Sequence, residues 1–167
     1  IGVDTETEGI DVHTKKLLLT QLGCFDFQVV IDNRTVPIEN YKSFLEDSTK
    51  QWLFWNAKFD LKFFMKHGII IDNIYDGFLA EKLLYLGFPE GTHSMSLKSA
   101  GYTYCDVELD KSVRGKIIWS KTLTPDVIEY GAHDVKYLEK IKEGQEEKLA
   151  EKGLTVAIKW ENKFCPV

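Results

Sequence analysis

Short apolar runs dominate the first half of the chain, and helical spacing dominates the second. Residues 1–6 open on an apolar run, and Gly9 marks the turn region beyond it. Residues 17–23 and 27–31 make two further runs, with Asp32-Asn33 as a turn signal after them. Three such strands in succession predict an antiparallel meander. Residues 37–46 predict a helix with Pro37 in its first turn. Residues 51–55 are apolar and rich in aromatics, which predicts a buried strand. Asn56 then caps a helix over 57–67, closed by Gly68. Residues 69–71 predict a fifth, buried strand, and 76–86 a helix ending near Gly87. The stretch 88–123 is mixed, with a short helix over 95–100 and then a connection bearing Gly and Lys. Thr124-Pro125-Asp126 is a strong helix start: a cap, a proline at the first position, and an acid on the N-terminal dipole. That helix should run to about residue 138, and a second helical stretch should cover 145–163. A meander followed by strand–helix alternation predicts an α/β domain. Its sheet is mixed and five-stranded, antiparallel over the first three strands, then parallel, and flanked by helices.

Composition narrows the class. At 167 residues, 44% hydrophobic and 28% charged, the chain predicts one soluble globular domain with a proper core. No apolar run approaches the ~20 residues of a membrane span, so no membrane partner is expected. Cys24, Cys105 and Cys165 are odd in number and widely spaced, which fits neither a disulfide framework nor a Cys-x-x-Cys zinc site. Reduced thiols of a cytoplasmic protein are the expectation. The net charge of −5 argues mildly against a large phosphate-gripping surface. Bound divalent cations would reverse the sign locally. The chain opens inside a strand without an initiator Met, which suggests a fragment of a longer polypeptide.

Three acidic motifs change the picture more than composition does. Asp4-Thr5-Glu6 puts two carboxylates on one face of a strand, because positions two apart share a face, and turns Thr5 the other way. Asn56 and Asp60 stand one helical turn apart at the carboxyl end of the preceding strand. Tyr130 and Asp134 repeat that spacing on the later helix. Singly, each has a plain account: surface acids, a helix cap, a core tyrosine beside a surface acid. Together, four carboxylates on three elements can gather into one cluster, which repels itself unless cations fill it. An all-oxygen ligand set points to Mg²⁺ or Mn²⁺, and a pair of such ions is common equipment for cutting phosphodiesters. Lys58, Lys62 and Lys66 form a stripe on the second-motif helix, most simply a solvated face and secondarily a phosphate contact.

These motifs resemble those of the 3′–5′ exonucleases of the ribonuclease-H-like fold that carry four acids and a tyrosine. Within that group the chain looks most like the proofreading domain of family A DNA polymerases, the DNA polymerase I type, including phage versions. Residues 2–7 resemble the first exonuclease motif, 56–60 the second and 130–134 the third. The segments 75–84 and 93–98, and Trp119 with Leu123-Thr124, resemble the family's intervening landmarks. Residues 160–167 resemble the entry to a polymerase domain, which gives an expected division into an exonuclease domain over 1–144 and a helical linker over 145–167. His133 and Gly77 depart from the family pattern.

The resemblance implies that Asp4 bridges two cations, Glu6 and Asp134 complete one shell, and Asp60 holds the other ion. It implies that Tyr130 orients the attacking water, while Thr7, Ile10 and Asn56 hold the terminal nucleotide. The expected protein is a monomer of the bacterial or phage-infected cytoplasm that acts on single-stranded DNA 3′ ends beside a polymerase domain in the same polypeptide. The competing expectations are a ribonuclease D-like 3′–5′ exoribonuclease, and a catalytically silent nucleic-acid-binding or structural domain.

Overall fold

The computed structural model describes residues 1–109 and 122–165. Strands β1 (Gly2–Thr7), β2 (Leu17–Gly23) and β3 (Gln28–Asp32) form the expected meander. Strands β4 (Trp52–Phe54) and β5 (Ile74–Asp76) join it in parallel on the far side of β1. The order β3-β2-β1-β4-β5 therefore places β1 at the centre of a mixed five-stranded sheet.

The fifth strand is not at 69–71. The Ile69 amide closes the preceding helix on the Phe64 carbonyl at 3.0 Å, and the Ile70 amide donates to the Glu46 carboxylate at 3.0 Å. With those amides committed, ladder pairing starts at Ile74, opposite Trp52. Ile69 and Ile71 still reach the core, while Ile70 is 64% exposed.

The expected helix over 37–46 is two pieces, a 3₁₀ turn (Ile38–Tyr41) and α1 (Lys42–Leu45), with Pro37 just outside. Tyr41 leaves helical geometry at φ −125°, and its hydroxyl donates to Asn33 Oδ1. Helix α2 (Ala57–Lys66) ends at a left-handed Gly68, and α3 spans Gly77–Leu84. Helix α4 (Leu97–Cys105) starts later and runs longer than the expected 95–100, because the Ser96 hydroxyl caps it by accepting from the Ser99 amide. The connection expected after it lies in part at 110–121, outside the described residues. The two late stretches are three helices: α5 (Pro125–Lys136), α6 (Leu138–Glu151) and α7 (Thr155–Phe164). Gly153, at φ +70°, makes the last break. Among the described residues no helix is long and apolar enough to cross a membrane.

Alternation along β4 builds two cores. Trp52 and Phe54 pack with Val3, Phe63 and Phe64 on the α2 side, while Leu53 packs with Val135, Leu138 and Ile141 on the other. Leu149 and Ile158 bring α6 and α7 into that second core. Helix α5 lies across β1, β2 and β3. Its approach is unusually close: a Cβ on Gly2 would stand 2.5 Å from the Val135 carbonyl oxygen. A buried polar knot holds α3, α4 and α6 together. Glu81 accepts from the Tyr104 hydroxyl at 2.6 Å and the Gln145 amide at 2.9 Å, and His93 Nε2 lies 2.6 Å from its other oxygen.

Candidate active site

The centre of β1 supplies the first acids. Strand alternation turns Asp4 and Glu6 to the α5 side, and α5 brings Asp134 to them. One carboxylate oxygen from each of the three lies within 4.8 Å of the others. Glu6 and Asp134 are buried and Asp4 is half-buried. Thr5 points the other way, and its hydroxyl donates to Asp60 Oδ1 at 2.5 Å. Asp60 thus sits across β1 from the other three acids, in the same cleft of about 630 Å³. A larger cavity of about 700 Å³, between β5 and α7, contains none of the motif residues.

Tyr130 lies one turn before Asp134 and lines the same cleft. Burial pushes its phenol well above the usual range, and the charges of Asp134, Glu6 and Asp4 push it further. The hydroxyl therefore keeps its proton throughout the working range of pH and can donate a hydrogen bond.

Asn56 and Ile10 also line the cleft, Ile10 being 89% exposed at its rim. Asn56 stands at the N-cap of α2 in the left-handed region (φ +70°), but its side chain makes no capping bond. Asp76 caps α2 instead, its two oxygens accepting from the Asn56 and Ala57 amides, each at 2.9 Å. The Asn56 side chain is thereby left for the cleft. Thr7 does not line the cleft; its hydroxyl donates to the Gly9 carbonyl at 2.8 Å and fixes the turn after β1. Sequence reasoning missed Trp55, Phe59, Phe78, Met95 and Lys98, which also line the cleft with Ser96 and Leu97. The wall at 95–98 is pinned by the Trp55 indole, which donates to the Met95 carbonyl at 3.2 Å, and by His93 on Glu81. The only sequence signal for it was the landmark 93–98, which names no function for its side chains.

The pattern that defines a 3′–5′ exonuclease family matches residues 1–150. The chain belongs to this family. No curated protein matches it. Among solved structures, Brucella melitensis NrnC is similar at 26% identity and a TM-score of 0.86, covering 99% of this chain and 80% of that one. NrnC with bound Mg²⁺ is similar at 26% identity and 0.82, with the same coverage. Escherichia coli RNase D, an exoribonuclease involved in structured RNA processing, shares the fold at 23% identity and 0.83, covering 99% of this chain and 43% of that one. The fold of the exonuclease is thus the ribonuclease-H-like one its motifs suggested.

The acids of the exonuclease fit hard divalent cations. Three carboxylates, two of them buried, stand within 4.8 Å of one another and repel without a counter-charge. Their donor set is all oxygen. Asp60 adds a pH signature. Its complete burial pushes the carboxyl up to about 7, with Asp76 and Glu6 adding to the shift and the Thr5 hydroxyl opposing it. A carboxyl raised in the folded state holds its proton more tightly there than in the unfolded chain. The cation-free protein therefore loses stability as pH rises from about 4 through about 7. In EDTA, Tm should fall by several degrees between about pH 5 and about pH 7.5. Asp60→Asn should flatten that slope, and added Mg²⁺ should raise Tm more at the higher pH. A calorimetric slope that Asp60→Asn leaves unchanged would refute this account.

Proposed function

We propose that this exonuclease removes 3′-terminal nucleotides from single-stranded nucleic-acid ends and releases nucleoside 5′-monophosphates. The observation that carries the reading is the convergence of Asp4, Glu6 and Asp134 within 4.8 Å in the cleft that also holds Asp60 and Tyr130. Asp4, Glu6, Asp134 and Asp60 would hold two divalent cations, Mg²⁺ or Mn²⁺. Such ions, when bound, make water a better nucleophile and stabilise the leaving oxygen. Tyr130, held protonated, orients the attacking water by hydrogen bonding. Asn56 and Ile10 seat the terminal nucleotide, and Thr7 shapes the turn that carries Ile10. In-line attack breaks the bond from phosphorus to the 3′ oxygen of the upstream nucleotide.

Two substrates compete. The motif resemblance supports DNA proofreading, with residues 145–167 leading toward a polymerase domain of the same polypeptide. The likeness to the exoribonuclease RNase D favours a ribonuclease D-like 3′–5′ exoribonuclease, and NrnC, at 24% identity to this chain, has been solved with pGG bound. Matched DNA and RNA oligonucleotides labelled at the 5′ end decide between them. Stepwise shortening from the 3′ end in Mg²⁺ is expected on at least one, and the faster substrate names the class. Internal cuts, or no cleavage of either, would overturn the proposal.

Tyr130→Phe should lower kcat about 100-fold, within the usual range for a positioned proton-handling group. Its Mg²⁺ affinity by calorimetry should stay within about twofold. Full turnover in that variant removes Tyr130 from the mechanism.

A further inference from the structure

A second, smaller groove lies beside the active-site cleft along α2. Its volume is about 240 Å³, and it is lined by Ile10, Val12, Asn56, Lys58, Phe59 and Lys62, with Phe63 at its base. Ile10, Asn56 and Phe59 line both concavities, so the two adjoin. One bank is α2 and the other is the turn after β1. The far end of α2 is tied to that turn by Lys66 Nζ, which donates to the Lys15 carbonyl at 2.9 Å. The acids of the turn are engaged locally: Asp11 accepts from the His13 amide and the Thr14 hydroxyl, and Glu8 from the Lys16 amide. Lys58 and Lys62 are exposed on the α2 bank.

We infer that this groove is the track for the substrate strand upstream of its 3′-terminal nucleotide, with Lys58 and Lys62 as phosphate contacts and Phe59 as a stacking surface. The inference rests on the exonuclease reading above and adds where the rest of the strand lies. Charge argues for this occupant. The cleft gathers acids in a chain of net charge −5, so an incoming polyanion needs cations close to the cleft mouth. Residues four apart on a helix stand roughly 5–6 Å apart at Cβ, and long flexible lysine stems reach successive phosphates from that spacing. Half-buried Phe59 offers a ring at the junction, where a base can stack whatever its identity.

The test compares a dinucleotide with an eight-nucleotide single strand, using the parent, Lys58→Gln/Lys62→Gln, and Lys159→Gln/Lys163→Gln as a charge-matched control on α7. In Mg²⁺, the KM of the octamer should rise about tenfold in the α2 variant, while the ratio of octamer to dinucleotide KM stays parental in the control. Fluorescence anisotropy of a labelled octamer in EDTA should show the same loss of affinity. Its salt dependence should be shallower by about 1.4 in log–log slope, which is two phosphate contacts on a single strand. An octamer affinity within twofold of the parent, or an equal shift for both lengths, overturns the groove. Should the parent cut neither oligonucleotide, the exonuclease reading falls, and anisotropy still decides the groove.

Discussion

Asp4→Ala is expected to lower kcat/KM at least about a thousandfold, roughly 4 kcal/mol of transition-state stabilisation, on whichever oligonucleotide the parent cuts. Asp4 belongs to the one carboxylate cluster that the described residues form, and its partners there, Glu6 and Asp134, are buried. Removing it would delete one of the oxygens proposed to hold the cations. Stability should move in the opposite direction. In EDTA three like charges within 4.8 Å repel, so deleting one should leave Tm unchanged or raise it. Lost activity with preserved or increased cation-free stability separates a ligand from a structural residue, whose loss lowers both. Cleavage at the parental rate by Asp4→Ala would end the metal assignment.

The largest stability effect is expected at Asp76. Its carboxylate is buried and accepts from the amides of Asn56, Ala57 and Phe78, each at 2.9 Å, so one side chain caps both α2 and α3. Burial raises its carboxyl above the usual range, and those amides act against the rise. Asp76→Ala leaves donors without acceptors in a dry place, at about 1–3 kcal/mol each when unsatisfied. A total loss of about 3–5 kcal/mol is expected, a fall in Tm of roughly 10 °C or more at this size. Asp76→Asn keeps an acceptor and should lose less. Activity should fall as well, because the left-handed Asn56 is held by that carboxylate at the mouth of the cleft. A Tm within about 1 °C of the parent in Asp76→Ala would refute the double cap.

The parts of this protein that announce themselves in sequence are those whose signal is local. The meander over β1 to β3 follows from apolar runs and turn residues, and the shared face of Asp4 and Glu6 follows from strand alternation. The start of α5 is written in Thr124-Pro125-Asp126. What stayed hidden depends on partners distant in sequence. The apolar triplet at 69–71 reads as a strand, yet its amides are claimed by Phe64 and Glu46. Asp76 reads as an ordinary helix start; its second helix lies twenty residues earlier. The bond from Thr5 to Asp60 and the knot around Glu81 leave no periodicity to find. The cleft wall at 95–98 belongs to a segment whose hydrophobic pattern says only that it is partly buried.

Two of the clustered acids stand on the middle strand of the sheet, and the third rides on a helix laid across it. At Gly2 that helix descends until the Val135 carbonyl occupies the space a methyl group would need. The gauge of the catalytic centre is accordingly set by main chain resting on main chain, not by the reach of flexible side chains. A pocket calibrated in this way holds its acids at a fixed separation before any cation arrives, so the work of bringing like charges together is done by folding and not by binding.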